Sequence, residues 1–375
     1  MLVLRESDVA PMLQQLTLEE CHRLLQALWR SLAAYSASSN DASSSGSETG
    51  SVHQPMRESI RTADGSTTLF MPASDTTTTT GIKVVTLPGA GGPPAGAIAL
   101  FSPKSGQLEG ILNAEMITAF RTALASMIPF HLFQFPQTTQ GQDGRGNRLL
   151  VFGAGKQAEW HIRLGLLLAR SIASVTVVNR GRGGLDRLRT SLGDVAAARP
   201  DVSFVYISRE EEEEEEKEAK YEDRLRAAVS EADAIFCCTP STEPLFPYSY
   251  LRRQQTGGEG EDAQENKRRF VSMIGSFRPH MHEVDTDTLL SGQTLLVDSR
   301  QACLAEAGEL ITAGVRPEQL TEIGELSPAS SLFASSSSSN IVFKCVGMGI
   351  MDLAVGRELL CLASERGVGV SIQGF

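Results

Sequence analysis

The chain has 375 residues, 41% of them hydrophobic, with 45 carboxylates against 34 Lys and Arg for a formal net charge of −11. That is enough chain and apolar surface for two domains with substantial cores, and it excludes a small stapled module. Residues 210–218, eight Glu and one Lys, carry −7 of the charge and leave −4 elsewhere; with no basic excess, neither nucleic acid nor an anionic membrane is an expected partner.

In chain order, Met1 to Leu4 reads as a short strand and Glu6 to Leu13 as a first helix. Thr17 opens a second helix, with Glu20 as its capping-box partner and an apolar stripe of Leu18, Cys21, Leu24, Leu25, Leu28 and Leu32. Residues 36–51, mostly Ser, Gly, Asn and Asp, read as an insertion that cannot order itself. Five β-like pieces follow, Arg57 to Ile60, Thr68 to Met71, Ile82 to Leu87, Gly96 to Ser102 and Leu108 to Leu112, punctuated by Gly, Pro and Thr. They predict a sheet of antiparallel type. Asn113 to Phe133 is then a helix with Ile117, Phe120, Leu124 and Ile128 on one side, and 134–147 is the loop that leaves it.

Leu149 to Phe152 is an apolar run too short for a helix, followed by Gly153-Ala154-Gly155-Lys156-Gln157-Ala158 and an amphipathic segment carrying Ile162, Leu164, Leu167 and Leu168. This is the G-x-G-x-x-A turn of a nucleotide-binding βαβ unit. Gly153 allows the tight turn, Gly155 lets a pyrophosphate approach the backbone, and Ala158 is small enough for helix-on-strand packing. The helix start then faces the phosphates with unpaired N–H groups. The next strand, Val175 to Val178, ends in Asn179-Arg180-Gly181-Arg182, where an NAD enzyme places an acid for the ribose 2′-hydroxyl. No carboxylate is present in that tetrapeptide. Arg180 or Arg182 can pair with a 2′-phosphate, which favours NADP(H), with NAD(H) as the other candidate; both arginines are also compatible with a solvated loop.

Val202 to Ile207, Ala234 to Cys238, Phe270 to Ile274 and Thr294 to Val297 are further strands, and Tyr221 to Ser230 and Gly349 to Glu365 are helices. Ligands of doubly wound sheets lie off the carboxyl ends of strands, so Thr239 falls where a nicotinamide ribose sits. Residues 210–218, 257–266 and 335–339 are low-complexity segments. The six cysteines form no CxxC pair, and the acids in MLVLRESDVAP leave no secretory apolar core, so a cytoplasmic protein is expected. Leu164 to Val178, broken by Arg170 and serines, is too short to cross a bilayer. His280 and His282 lack a third ligand nearby, so no metal is expected.

The series GIKVVTLPG, LEGILNAEMITAFRTALAS, VFGAGKQAEWH, MIGSFRPHMHEVD, LVDSRQACLAEAGEL, IGEL and NIVFKCVGMGIMDLAVG resembles the ornithine cyclodeaminase and mu-crystallin family along nearly the whole chain outside the insertions. The resemblance implies an α/β fold with a Rossmann-type doubly wound nucleotide domain (131–339) and an antiparallel-sheet α+β domain for substrate and dimerisation (1–130 with 340–375). It implies a homodimer with each active site between the two domains. Lys83 of GxKxV carries over as the catalytic residue beside the substrate, Arg121 and Arg57 as binders of the substrate carboxylate. Thr239, Gly275 and Gly347 join Gly153, Ala154, Gly155, Gln157, Ala158, Asn179, Arg180 and Arg182 as cofactor residues. An α-imino acid needs a cation fork for its carboxylate and a proton donor near its nitrogen, and a lysine in a partly dry pocket can meet the second need. Without the resemblance, Lys83 and Arg121 are simply solvent-facing charges.

One departure narrows the function. Cyclodeaminases and alanine dehydrogenases of this family carry an aspartate two residues after the glycine that ends the strand, and here Gly275-Ser276 is followed by Phe277. A phenyl ring cannot activate water or an amine. Arg278 and Glu283 are near in sequence, but spacing alone puts neither at the reacting atom. The leading expectation is an NAD(P)H-dependent ketimine reductase yielding an amino acid such as proline or pipecolate. Ornithine cyclodeaminase and a mu-crystallin-like ligand-binding protein are the alternatives.

Overall fold

The computed structural model describes residues 1–45, 51–133, 146–210, 217–251, 267–333 and 339–374. They form two compact units: Met1–Ala125 with Ile323–Glu325 and Gly347–Phe375, and Ser126–Glu322 with Leu326–Val346. The expected insertion 257–266 lies outside the described residues, as do 46–50, most of 210–218 and of 335–339, and most of the expected loop 134–147.

The first unit contains β1 (Leu2–Leu4), α1 (Glu6–Gln14), α2 (Leu18–Ser45), β2 (Val52–His53) and β3 (Glu58–Arg61). There follow β4 (Thr67–Asp75), β5 (Thr79–Leu87), β6 (Ala95–Phe101), β7 (Leu108–Asn113) and α3 (Ala114–Leu132), which runs on into the second unit. The second unit holds β8 (Asn147–Phe152), α4 (Lys156–Leu168), β9 (Ile172–Asn179), α5 (Arg182–Ser191), α6 (Gly193–Ala198), β10 (Ser203–Ser208), α7 (Lys217–Glu231) and β11 (Ala234–Cys237). It continues with β12 (Phe270–Met273), α8 (Thr286–Leu289), β13 (Gly292–Val297), α9 (Arg300–Glu306), α10 (Gly308–Thr312), β14 (Leu320–Glu322) and β15 (Asn340–Lys344). Finally α11 (Gly349–Arg366) and β16 (Val370–Ser371) rejoin the first.

The sheet of the first unit has the order β16-β1-β7-β6-β5-β4-β2, with β3 also on β4. Its meander β4 to β7 is antiparallel, as the turn-rich sequence predicts. The sheet is nonetheless mixed: β1 runs parallel to β7, with Leu2 opposite Gly110. The long connection through α1 and α2 permits that crossover. Helix α11 packs on β4, β5 and β6. Gly81 makes this approach possible, since a Cβ there would stand 2.4 Å from the Ala99 carbonyl and 3.3 Å from Leu353 of α11.

Helix α2 corrects the expectation that 36–51 is unstructured, because the helix continues to Ser45. No Gly or Pro interrupts it, and the Ser38 and Ser39 hydroxyls donate to the carbonyls of Ala34 and Tyr35 at 2.9 and 3.0 Å. Ser36 is buried. Serines that satisfy themselves on the preceding turn do not end a helix. The capping box is present, with the Thr17 hydroxyl and N–H both donating to Glu20. Of the stripe, Cys21, Leu24, Leu25, Leu28 and Leu32 are buried, whereas Leu18 at the helix start is exposed.

The second unit is a parallel sheet of order β10-β9-β8-β11-β12-β15-β13-β14. Its order reverses between β8 and β11, which opens a crevice at their carboxyl ends. Leu149, Leu150, Val151 and Phe152 of β8 are all buried, the pattern of a strand covered on both faces. β15 lies between β12 and β13, with Ile341 opposite Phe270 and Leu295 opposite Val342. Residues 340–346 therefore belong to the nucleotide unit and not, as expected, to the first. All five positions of β15 are buried, Asn340 and Lys344 included, so there is no periodicity to read, and only the sheet assigns them.

Candidate active site

In the first unit, β5 and α11 bury a cluster of charge. The Lys83 ammonium donates to both oxygens of Asp352 at 3.0 Å, and Arg121 of α3 donates from Nε to Asp352 at 3.3 Å. Lys83 is 2% exposed and Asp352 not at all. Two buried cations thus share one carboxylate. Burial pushes the Lys83 pKa down to about 8; Asp352 opposes that shift, and the charges of Arg121 and Arg57 reinforce it. Arg121 and Arg57, named separately from the sequence, therefore both act electrostatically on Lys83.

The Arg121 fork lies close against the backbone at Gly347. Nη1 meets the Met351 thioether at 3.8 Å, and Gly347, at φ +88°, offers no side chain toward it. A Cβ at Gly347 would stand 2.4 Å from Nη1. Gly347, expected from the resemblance among the cofactor residues, is thus placed by the structure against Arg121.

In the second unit, the turn after β8 has Gly153 at φ +104°, where a Cβ would come within 2.8 Å of the Cys238 carbonyl. Gly155 caps α4 in an extended conformation with no side chain on the orphan N–H groups, and a Cβ there would meet nothing within 4 Å. Open space above free helix-start donors is what a pyrophosphate requires, so the residues present fit a dinucleotide. Ala158 is fully buried, and Ala154 lies 3.3 Å from a Cβ built at Gly184. Asn179 donates to the Gly181 carbonyl at 2.7 Å and so shapes the loop that carries the exposed Arg180 and Arg182. The Arg182 N–H is taken by Glu210 at 3.2 Å. Gln157 gives its carbonyl to His161, whose ring burial holds at a pKa of about 4 and so neutral.

Thr239 and Gly275 end β11 and β12 side by side. A Cβ at Gly275 would overlap the Thr239 backbone, at 2.0 Å from its carbonyl oxygen, so this glycine serves close strand-end packing. Both N–H groups are taken by Glu283. Phe277, at the position where an acid is expected of a cyclodeaminase, is 37% exposed with the Arg278 guanidinium 5.6 Å above its ring. Glu283 does not supply the missing acid, because its oxygens are committed to backbone N–H groups. Two residues escaped sequence reading: Asp352, whose only signal is a carboxylate inside the apolar run GIMDLAVG, and Glu283, which carried no signal of its role.

A crevice-forming parallel sheet with a G-x-G-x-x-A turn defines a dinucleotide-binding α/β protein, and the Lys83–Asp352–Arg121 cluster adds a buried cationic site. No family model matches the chain. An uncharacterized protein of Saccharomyces cerevisiae is 30% identical over 301 residues, 72% of this chain and 75% of that one. The ketimine reductase mu-crystallin of Mus musculus is 27% identical over 262 residues, 70% of this chain and 67% of its own. The Thermococcus litoralis Delta(1)-pyrroline-2-carboxylate reductase, solved with NADH and L-proline, superposes with a TM-score of 0.74 at 19% identity, covering 99% of this chain and all of that one. The chain belongs to the ornithine cyclodeaminase and mu-crystallin family.

Proposed function

We propose that the protein is an NAD(P)H-dependent reductase of a cyclic or open α-imino acid, giving an α-amino acid of the proline or pipecolate kind. The observation that carries this reading is the pair of buried cations on one carboxylate, a site with positive charge to spare for a substrate carboxylate. Arg121 binds that carboxylate through its fork, and Arg57 contributes further positive field. Lys83, held by Asp352 and with a pKa of about 8, is mostly protonated at neutral pH and close to the value that suits a general acid. Its ammonium delivers a proton to the imine nitrogen. The reduced nicotinamide, when bound, supplies the hydride.

The cofactor is proposed to rest on Gly153, Ala154, Gly155, Gln157 and Ala158, with Thr239 and Gly275 at the strand ends. Arg180 and Arg182 favour NADPH over NADH, since Asn179 stands where an acid would otherwise read the ribose. The reading includes a homodimer, as the resemblance implies, and a cytoplasmic place, which the six free cysteines suit; among the described residues no helix is long and apolar enough to cross a membrane. Phe277 weighs against ornithine cyclodeaminase, which needs a base there.

The test is purified protein with NADPH or NADH and a panel of cyclic and open imino acids, following absorbance of the reduced nicotinamide. Steady consumption with an imino acid is expected. Sustained ammonia release from ornithine with oxidised cofactor would establish the cyclodeaminase, and tight cofactor binding without turnover on any imine would establish a ligand-binding protein.

A further inference from the structure

Glu283, fully buried on the segment between β12 and α8, has both oxygens turned to the two strand ends. It accepts from the N–H of Thr239 at 2.7 Å, of Gly275 at 2.7 Å and of Ser276 at 3.3 Å, and from the Thr239 hydroxyl at 3.2 Å. Those donors come from two separate strands. A carboxylate offers about four acceptor sites, and here four donors use them. The arrangement is held from behind. The Glu283 N–H and the Ser276 hydroxyl donate to Glu309 at 2.8 and 2.5 Å, while Lys344 of β15 donates to the Ser276 carbonyl at 2.6 Å and lies 3.6 Å from Glu309.

We infer that Glu283 is a positioning residue for the dinucleotide: its ionised carboxylate fastens the carboxyl ends of β11 and β12 together and fixes the bed beside the G-x-G-x-x-A turn. The inference rests on the reading that this crevice binds a dinucleotide. Gly153 sits within reach of the same bed, through the Cys238 carbonyl. A protonated carboxyl carries an O–H and loses acceptor sites, so the four donors can no longer all be satisfied and the strand ends loosen.

Burial raises the Glu283 pKa to about 7, with Glu309 adding to the rise and Lys344 and the N–H bonds opposing it. The Cys237 and Cys238 thiols are held well above their ordinary value by burial, and His161, 3.7 Å from Cys238, is held low. His282, adjacent in sequence, bonds the Thr312 hydroxyl at 2.7 Å and is the histidine to control for. A pKa near 7 makes the ionised fraction rise about tenfold from pH 6 to pH 8, and apparent cofactor affinity follows the competent fraction.

The test measures the dissociation constant of NADH by fluorescence from pH 6 to 8, NADH being chosen because it lacks the 2′-phosphate that titrates near 6. For the wild type we expect binding to tighten about tenfold across that range. Glu283→Gln should bind weakly at both ends with no slope, and His282→Gln should keep the wild-type slope. Independently, amide exchange in the ligand-free wild type, corrected for intrinsic rate, should slow with rising pH at 237–241 and 274–277 and not in β10. That measurement decides the matter should Glu283→Gln fail to fold. Wild-type affinity and slope in Glu283→Gln, or pH-independent exchange at both strand ends, would overturn the inference. A wild type that binds neither NADH nor NADPH while its exchange retains the pH dependence would instead overturn the dinucleotide reading, and the cofactor role of Glu283 with it.

Discussion

Replacing Asp352 by Asn keeps the side-chain shape and removes the carboxylate that, among the described residues, Lys83 and Arg121 share. With Asp352 present, the opposing effects of burial and ion pairing leave Lys83 at about 8. An opposite charge in contact ordinarily supports a pKa by about 1–3 units, so the variant's lysine should titrate at roughly 5–7. If it settles near 6, the protonated fraction at pH 7 falls about tenfold, from roughly ten in eleven to roughly one in eleven. Retaining the buried charge without its partner would cost about 3–5 kcal/mol, so deprotonation is the cheaper response. The assay is kcat/KM for imine reduction against pH, which reports the free enzyme. The wild-type rate should fall as pH rises through about 8. In Asp352→Asn that limb should move acid-ward by about 1–3 units, with activity largely recovered below it. A variant whose limb stays in place would show that Asp352 does not hold the Lys83 proton, and would refute the account of the site.

Lys83→Met should lower turnover by ~10² to 10⁴ while NADPH still binds, whereas Arg121→Ala should act mainly on KM, because the substrate carboxylate is held alike in ground and transition states. Gly347→Ala puts a Cβ 2.4 Å from Arg121 Nη1 at a positive φ, so KM for the imino acid should rise with little change in cofactor affinity; an unchanged KM would free Gly347 from that role. Replacing Arg180 and Arg182 by Ala should weaken NADPH much more than NADH, each charged contact being worth about 1.5–3 kcal/mol, and equal losses would show that neither reads the phosphate. Glu283, raised from 4.5 to about 7 in the fold, contributes stability that is fully present below 4.5 and lost as pH rises through 7. Wild-type Tm should therefore fall across that window more than that of Glu283→Gln, a difference that scanning calorimetry would read; parallel curves would count against the raised value.

Local sequence determined the elements whose signal is short-range. The Gly153–Ala158 turn, the Thr17–Glu20 capping box and the turn-punctuated pieces of the meander are each readable because turn residues and caps act within a few residues. Lys83 and Arg121 were reached through the pattern of segments they sit in; their own residue type says only that they are cationic. What tertiary structure decided is of longer range. Asp352 stands 269 positions from Lys83, and only the packing of α11 on β5, opened by Gly81, makes it the counter-charge of the site. β15 gained its place from the strands that pair with both its edges, and the second helix runs on past Ser36 with the Ser38 and Ser39 hydroxyls bonded back along it. Glu283 is legible in sequence only as an acid near Phe277 whose place the spacing leaves open. Its function depends on two strand ends that arrive from elsewhere in the chain, since a carboxylate's role is set by which donors the fold brings to it and by how completely the fold excludes water.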